Sequence, residues 1–597
     1  MAAITRRPWL ALCMTLGVAL APAACSLVQP ADVPADRQAL AARLAHDGRH
    51  AEAARTYAEL AATPGADRDY GELQSASEWL AAGNAAEARQ AAAAVSPEAR
   101  SRLPVLRALV AANLALADND GVRAIRELDQ IPVPTQPDEA QQYWWLRGKG
   151  AFLAGRPVEG VRSFVERERW LTDTASLRAS RADLYSLVRT AAEHGALNPP
   201  PGADSIVAGW LELGPVAVQL ERNPLGAAAA IDNWRRRFPG HPANDGVLVG
   251  AQTQLASVNQ FPDQVALLLP LSGRSEPIGT AVRDGFISAY LQQEPPARPR
   301  LRIYDVAAQS AASAYQQAVE DGASFIVGPL TKEDVAAVAP LTAGRAPVLA
   351  LNFMADSLPT ARNFYQFALF PEDEARMVAR RVAADGKLKG VAIVPASEWG
   401  NRVSGAFADE LAHLGGTVLE TQRYEGARAD FSDIIRQILQ IHAVKGEPST
   451  HRTDAAFVFI AGTPGAARLI VPQLKFHYAG DVPVYSTSDS FEPAASANQD
   501  IDGLIFPDMP WMISNDPVTA QIRDSVRAAW PVRTERRDRL YAFGFDAYRL
   551  VPALKAKSLT ESSSIPGVTG KLRLDDHSRI RRELDWAQIK SGLPLPL

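Results

Sequence analysis

The stretch Val265-Ala266-Leu267-Leu268-Leu269-Pro270-Leu271-Ser272-Gly273 decides the fold of the longer half of this chain. Its apolar run is too short for a typical core helix and is typical of a strand buried on both faces. Ile278, Val282 and Phe286 then recur at a helical period. Strand, small polar loop and helix together open an α/β domain, and the loop lies at the carboxyl end of a strand, where open parallel sheets bind ligands.

Length and composition narrow the class of protein. The chain has 597 residues, 22% of them charged, and a formal net charge of -5. This length predicts more than one domain, and the weakly acidic balance excludes a broad basic surface for nucleic acid. The only cysteines, Cys13 and Cys25, lie in the N-terminal segment, so the rest of the chain has no disulfide and no cysteine-based metal site. We expect no metal and no cofactor.

The N-terminus has the pattern of an export signal. Arg6-Arg7 precedes an apolar run, and Pro22-Ala23-Ala24 supplies small residues before Cys25. The small-small-Cys ending resembles a bacterial lipoprotein signal, although Pro22 stands where such signals usually carry Leu. We predict a signal peptide over 1–24, lipidation of Cys25, and a tether over 25–36. An ordinary secretory signal with an incidental cysteine is the alternative.

A repeat of about 35 residues follows, close to the period of tetratricopeptide repeats. Three of the four copies place a glycine in a turn, and each copy has a small residue at a helix contact, which lets paired helices approach closely. The copies lie at 44–54, 80–88, 114–124 and 152–161. The pattern predicts a tetratricopeptide-like helical domain over 37–245, which offers either a concave surface for a protein partner or a spacer.

Short apolar strands alternate with helical stretches from residue 262 to 597. Such alternation implies right-handed βαβ units and a parallel sheet. The pattern restarts after Glu372-Asp373-Glu374-Ala375, whose acids are typical of the first turn of a helix. The restart predicts two lobes around a cleft, the architecture of type I periplasmic binding proteins. We place lobe 1 at about 262–368 plus a return segment and lobe 2 at about 372–506, with crossings near 366–372 and 507–511.

Small or polar residues that end or follow the predicted strands are candidates for lining the cleft. Glycines there have the alternative role of permitting a tight turn. Arg402 pairs with Glu398 or Asp409, or clamps a ligand carboxylate. No arrangement typical of an enzyme occurs, whether a nucleophile elbow, a zinc-protease motif or a phosphate-binding loop, and we predict a non-enzyme. The candidates are Ser272, Gly273, Gly279, Asn352, Trp399 and Asp489.

Several motifs of the α/β half resemble one family. Those motifs are Leu-Leu-Pro-Leu-Ser-Gly (268–273), Val-Gly-Pro-Leu-Thr-Lys (327–332), Ala-Leu-Asn (350–352), Pro-Glu-Asp-Glu-Ala (371–375), Glu-Trp-Gly-Asn-Arg (398–402) and Asp-Met-Pro-Trp (508–511). They are similar to those of the LppC/LpoA-type lipoproteins, outer-membrane activators of class A penicillin-binding proteins. The resemblance implies an outer-membrane lipoprotein, lipid-anchored on the periplasmic side, that binds and activates such a peptidoglycan synthase.

The same resemblance implies that the α/β half docks on the synthase and that the helical half extends across the periplasm. Two other functions stay open at the level of sequence. The cleft of a solute receptor would bind an amino acid or a small peptide. A scaffold would carry an inert α/β half and act through its helical repeat.

Overall fold

The computed structural model describes residues 33–64, 66–195, 197–258, 260–342, 345–355, 363–426, 428–441, 451–493, 498–531 and 537–597. The predicted signal peptide, Cys25 and most of the predicted tether lie outside these residues. The chain forms two compact units, which divide after Leu171.

The first unit is a run of antiparallel helix pairs. Gly48, Gly83 and Gly155 have φ values of 74°, 78° and 71° in the turns that separate the paired helices, as the repeat predicts. The small residues Ala53 and Ala88 are fully buried at the helix contacts. The helices are α1 (Val33–His46), α2 (His50–Ala61), α3 (Arg68–Ala81), α4 (Ala85–Ala93), α5 (Ala99–Arg102), α6 (Pro104–Ala117), α7 (Gly121–Leu128), α8 (Pro137–Leu153) and α9 (Pro157–Glu168).

The second unit begins with helices that the sequence pattern grouped with the repeat. They are α10 (Thr174–His194), α11 (Ser205–Arg222), α12 (Pro224–Arg237) and α13 (Val247–Val258). Arg549 donates to the carbonyl of Arg222 at 2.7 Å, and Asn223 donates to Gln292 at 2.8 Å. These contacts tie α11 and the start of α12 to the α/β part, so the compact units do not coincide with the predicted domains 37–245 and 262–597.

Lobe 1 of the second unit opens with the strand predicted from 265–269. Every residue of β1 is buried, and its neighbours β2 and β3 run parallel to it. The elements are β1 (Gln264–Leu269), α14 (Glu276–Gln292), β2 (Arg300–Asp305), α15 (Ala311–Glu320), β3 (Phe325–Val327), α16 (Lys332–Val338), β4 (Val348–Ala350) and β5 (Phe364–Phe367). Helices pack on both faces of this sheet, as a doubly wound fold requires.

Lobe 2 repeats the same plan. Its elements are α17 (Pro371–Ala384), β6 (Lys389–Pro395), α18 (Glu398–His413), β7 (Thr417–Tyr424), α19 (Ser432–Ile438), β8 (Val458–Ile460), α20 (Pro464–Phe476), β9 (Val484–Ser486) and β10 (Ile505–Asp508). The chain passes from lobe 1 to lobe 2 between Phe367 and Pro371 and leaves lobe 2 after Asp508.

The last part of the chain returns to both lobes. It comprises α21 (Pro510–Ile513), α22 (Pro517–Ala529), α23 (Asp538–Lys555), β11 (Ile565–Gly567), β12 (Gly570–Leu574), β13 (Arg579–Glu583), β14 (Asp585–Lys590) and β15 (Leu593–Pro596). Helix α23 packs against α14 in lobe 1. The described strands form sheets of order β11-β12-β13-β5-β4-β3-β1-β2 and β15-β14-β10-β9-β8-β6-β7, so the chain crosses once more at Leu584. The predicted fold class is confirmed.

Candidate functional site between the two lobes

A cavity of about 1410 Å³ lies between the lobes of the second unit. Lobe 1 contributes the first turn of α16, the loop after β4, and the hairpin of β12 and β13. Lobe 2 contributes one face each of α17 and α18. Because both lobes form its walls, any movement of one lobe against the other changes its shape.

Ion pairs cross this cavity. Asp373 on α17 accepts from Arg376 at 2.7 Å and from Arg581 on β13 at 2.8 Å. Arg581 also donates to Asp575 at 2.7 Å. The guanidinium of Arg581 therefore joins the hairpin of lobe 1 to the first turn of α17 in lobe 2.

Arg402 lies on the lobe 2 side of the cavity. It donates to Glu372 at 2.6 Å and to Glu398 at 3.3 Å. The predicted pairing with Glu398 is present, and the shorter contact to Glu372 was not predicted. Arg402 is thereby engaged within its own lobe rather than offered to a ligand carboxylate.

Phe353 forms an aromatic platform at the lobe 1 side of the cavity. Its ring meets Phe370 edge-on at 5.2 Å, and the guanidinium carbons of Arg579 and Arg581 stand 5.1 Å and 5.6 Å from its centroid. Such cation–π contacts hold the two arginines along one wall. The residues that line the cavity include eight arginine or lysine and six acidic side chains, so the lining carries a small excess of positive charge.

The residues predicted around the first loop have structural contacts. A Cβ added at Gly279 would lie 2.0 Å from the carbonyl oxygen of Pro270, so the start of α14 needs glycine to pack against that loop. Gly273 has a φ of 69° in the turn. Ser272 hydrogen bonds to Asp305 at the end of β2.

The other candidates are dispersed over the two lobes. Asn352 donates to the carbonyl of Leu330 at 3.0 Å. Trp399 packs against the core of lobe 2. Asp489 follows β9 and belongs to the charged cluster described next. None of the six candidates is among the residues that line the cavity, and their role in ligand binding stays a prediction.

A charged cluster occupies the interface of the lobes beside the cavity. Arg539 on α23 donates to both carboxylate oxygens of Asp508, at 2.6 Å and 3.2 Å, and to the carbonyl of Ser488 at 3.0 Å. Ser488 donates through its hydroxyl to Glu374 on α17 at 2.7 Å, and Arg582 on β13 lies 3.4 Å from the same carboxyl group. Glu374, Asp508 and Arg582 are buried or nearly so.

Burial changes the proton affinity of the acids in this cluster. It raises the pKa of Glu374 from 4.5 to about 7, and the charges of Asp489 and Asp508 add to the rise while Arg582 opposes it. Burial likewise raises the pKa of Asp489, against the opposing charge of Arg539. Between pH 4.5 and about 7, a solvent-exposed glutamate is mostly ionised, whereas Glu374 in this cluster keeps its proton.

The cluster fills the place where a parallel sheet usually offers a ligand site. Ser488 and Asp489 follow the carboxyl end of β9, and Asp508 ends β10. Arg539 reaches these strand ends from lobe 1. In open α/β folds the C-terminal ends of the strands hold a ligand. In this protein, charged side chains of the chain itself occupy that position.

Sequence reasoning missed most of this cluster. Glu374 was interpreted as one of the acids that begin a helix, which it also is. Asp508 and Arg582 lie in short segments that carried no catalytic pattern. The sequence signal for the cluster was a charged residue next to the end of a buried strand. Its ion-pair partners are distant in sequence, and only the tertiary fold brings them together.

The turn between β12 and β13 brings possible ligands of a metal ion together. Ligand atoms of Asp575, Asp576 and His577 lie within 4.8 Å of one another. Asp575 accepts from Arg581 and from the backbone N–H of Arg579 at 2.8 Å. We assign no metal to this turn because its most buried carboxylate, that of Asp575, already accepts these hydrogen bonds.

Among the described residues, none of the helices is both long and apolar enough to cross a membrane. The fold defines a two-lobed, type I binding-protein architecture preceded by tetratricopeptide-like helix pairs. The family described as "LppC putative lipoprotein" matches residues 88–592, which include parts of both compact units. The chain belongs to this family, and the resemblance inferred from its motifs is confirmed.

Two curated relatives are named penicillin-binding protein activator LpoA. The relative from Photobacterium profundum is 26% identical over 479 residues, which cover 77% of each chain. The relative from Vibrio antiquarius is 29% identical over 417 residues, 66% of this chain and 68% of the relative. The crystal structure of full-length LpoA from Haemophilus influenzae covers 91% of this chain and 98% of its own, with 22% identity and a TM-score of 0.46.

Proposed function

We propose that this protein is an outer-membrane lipoprotein that binds and activates a class A penicillin-binding protein in peptidoglycan synthesis. The extent of the family match carries the proposal, because the match runs from the helix pairs through both lobes to residue 592. A relative whose alignment covers 77% of this chain is named penicillin-binding protein activator LpoA. A likeness confined to the two lobes would indicate only a binding-protein fold.

The architecture suits a regulator that acts by contact. A stack of helix pairs keeps its shape and gains length with each repeat, so it can carry the two-lobed unit away from a membrane anchor. The two-lobed unit would then dock on the synthase. Activation follows if it binds the active conformation of the synthase more tightly than the idle one. In this proposal the chain itself catalyses no reaction.

The charged cluster supports a regulator over a solute receptor. A receptor needs free polar groups at the strand ends to bind its ligand. Here Asp508, Ser488 and Glu374 are already engaged with Arg539, Arg582 and one another. The solute-receptor alternative predicts that amino acids or small peptides raise the melting temperature of the purified chain.

Two assays test the proposal directly. The purified chain is added to a purified class A penicillin-binding protein, and glycan polymerisation and peptide crosslinking are measured with and without it. We expect at least one of the two rates to rise with saturable dependence on the added chain. Unchanged rates, together with no binding in a pull-down, would contradict the proposal. The chain carrying Gly250→Ala on α13, a change with no neighbour within 4 Å and away from the cavity lining, serves as the active control.

A further inference from the structure

Opposite charges face each other across the interface of the two lobes. Lobe 1 contributes the guanidinium groups of Arg539 on α23 and Arg582 on β13. Lobe 2 contributes the carboxyl groups of Glu374, Asp489 and Asp508. Because the signs segregate by lobe, their attraction acts between the lobes rather than within one of them.

The strength of the contacts differs within the cluster. Arg539 holds Asp508 through two hydrogen bonds, and Asp508 is 1% exposed. Bidentate arginine–carboxylate pairs are among the strong hydrogen-bonded pairs of proteins. Arg582 meets Glu374 at only 3.4 Å, and the other hydrogen bonds to Glu374 come from Ser488, which is in the same lobe. Glu374 is therefore held to lobe 1 less tightly than Asp508 is.

The balance of charge depends on the proton of Glu374. With that proton bound, the carboxylates of Asp489 and Asp508 match the guanidinium groups of Arg539 and Arg582. Loss of the proton leaves one uncompensated negative charge at a buried site. The charged groups that face Glu374 from the packed elements are Arg582, Asp489 and Asp508, and Arg539 faces all three acids.

We propose that this cluster is a pH-sensitive latch that holds the two lobes closed when Glu374 is protonated and loosens when it ionises. Lobes joined by short crossing segments move by hinge closure, and such hinges use a few residues between elements. The crossings between Phe367 and Pro371 and at Leu584 are of this kind. The inference does not depend on the proposed function.

The sign of the pH effect follows from the direction of the shift. In the closed lobes the pKa of Glu374 is about 7, above the ordinary 4.5 that it regains when water reaches it. Closure therefore binds a proton. The stabilisation from this group is complete below pH 4.5 and is lost as the pH rises through about 7.

Spin labels on either side of the cavity report the separation of the lobes. Lys332 in lobe 1 and Asp409 in lobe 2 both line the cavity and are both exposed. Spin labels are attached to the full chain carrying Cys13→Ser, Cys25→Ser, Lys332→Cys and Asp409→Cys. The distance between the two labels is measured by pulsed electron paramagnetic resonance at about pH 6 and about pH 8, on either side of the titration of Glu374. We expect a longer or broader distance distribution at the higher pH.

Substitutions in the same labelled chain locate the effect. Glu374→Gln keeps the acceptor for Ser488 and cannot ionise, so its distribution should stay narrow at both values of pH. Glu398→Gln, on an acid of the same lobe that is 91% exposed, should keep the response of the parent. A parent distribution that is the same at both values, or a response that survives Glu374→Gln, would overturn the latch.

Hydrogen exchange of the unsubstituted chain gives a second measurement, which does not depend on whether a variant folds. The amide of Ser488 donates to Glu374 at 3.2 Å. Its protection factor, corrected for the intrinsic pH dependence of exchange, should fall between the same two values of pH. Constant protection of this amide would also overturn the proposal. Neither measurement involves a synthase, so its outcome is separate from that of the activation assays.

Discussion

Two glycines set the distance between helices α14 and α23. A Cβ added at Gly285 would lie 1.9 Å from the carbonyl oxygen of Tyr541, and one added at Gly544 would lie 1.9 Å from the carbonyl oxygen of Val282. These helices touch through backbone atoms, and side chains cannot give way there. The contact places Arg539, which lies one turn before Gly544, at the strand ends of lobe 2.

Gly544→Ala should therefore lower the stability of the second unit. Because the obstructing atom is a backbone oxygen, the helices must separate, and we expect a loss of about 1–3 kcal/mol, the usual range for an overpacked core. Chemical denaturation followed by circular dichroism measures it. Gly405→Ala on α18 has open space around the new methyl group and should gain about 0.5–1 kcal/mol from helix propensity. Equal effects of the two substitutions would contradict the packing argument.

At the scale of residues, sequence patterns predicted roles that depend on neighbours in sequence better than roles that depend on residues far away in sequence. Gly48 and Gly83 could be assigned to turns because the need for a positive φ is a property of the turn itself. Glu374 was correctly interpreted as an acid in the first turn of a helix. Burial raises its pKa, and the charges of Asp489 and Asp508, more than 100 positions away in sequence, add to that rise, while Arg582, 208 positions away, opposes it. No local pattern carries that information.

Helix α23 is the element on which the second unit is assembled. Its residues are buried on nearly every face, whereas most helices of a doubly wound fold expose one face to water. It packs on α14 in lobe 1, holds Asp508 through Arg539, and binds the hairpin of β11 and β12 through Asp546. A single helix thus connects the sheet of lobe 1, the strand ends of lobe 2 and the return segment.

Asp546 is the residue through which α23 holds the hairpin. Its carboxylate accepts from the amide of Val568 at 3.1 Å and from the amide and hydroxyl of Thr569 at 2.7 Å and 2.6 Å. Burial raises the pKa of Asp546, and the neighbouring Arg549 opposes that rise. Two of these bonds are donated by backbone amides at the turn, which would otherwise be buried without acceptors.

Asp546→Ala should release this hairpin and destabilise the unit by about 3–5 kcal/mol, since it leaves Arg549 buried without its acid and the turn amides without acceptors. Hydrogen exchange at Val568 and Thr569 measures the local effect, and thermal unfolding measures the global one. Asp524→Ala on α22, at a side chain that is 71% exposed, should change neither. Unchanged exchange of the two amides in Asp546→Ala would show that the hairpin does not depend on this carboxylate.

At the scale of elements, periodicity identified the strands that are continuously apolar and missed those that are not. β1 is buried on both faces and was predicted. β12 and β13 carry the segments Gly-Lys-Leu-Arg-Leu and Arg-Ile-Arg-Arg-Glu, whose charges resemble those of a loop. Pairing of β13 with β5 places those arginines beside the cavity, and this long-range pairing is what the pattern could not specify.

At the scale of the whole molecule, the proposed function separates anchoring from activation. The predicted lipid on Cys25 would keep the chain at the outer membrane, and a predicted tether over 25–36 would join it to the helix pairs. An anchored activator meets its partner at a high effective concentration, so anchoring adds apparent affinity without any new contact. The contacts that activate the synthase would still belong to the folded units.

Cys25→Ser should separate these two contributions. We expect the variant to leave the outer-membrane fraction and to lose the mass of the attached lipid, as fractionation and mass spectrometry of the mature protein would show. The purified variant should stimulate the synthase in detergent solution to the same maximal rate as the lipidated chain, because the proposed docking uses the folded two-lobed unit and not the anchor. In cells, its effect on peptidoglycan synthesis should fall and be restored by overproduction, which replaces effective concentration with bulk concentration. Retention of the variant in the outer membrane would refute anchoring through Cys25, and loss of stimulation in solution would mean that the N-terminal segment takes part in activation itself.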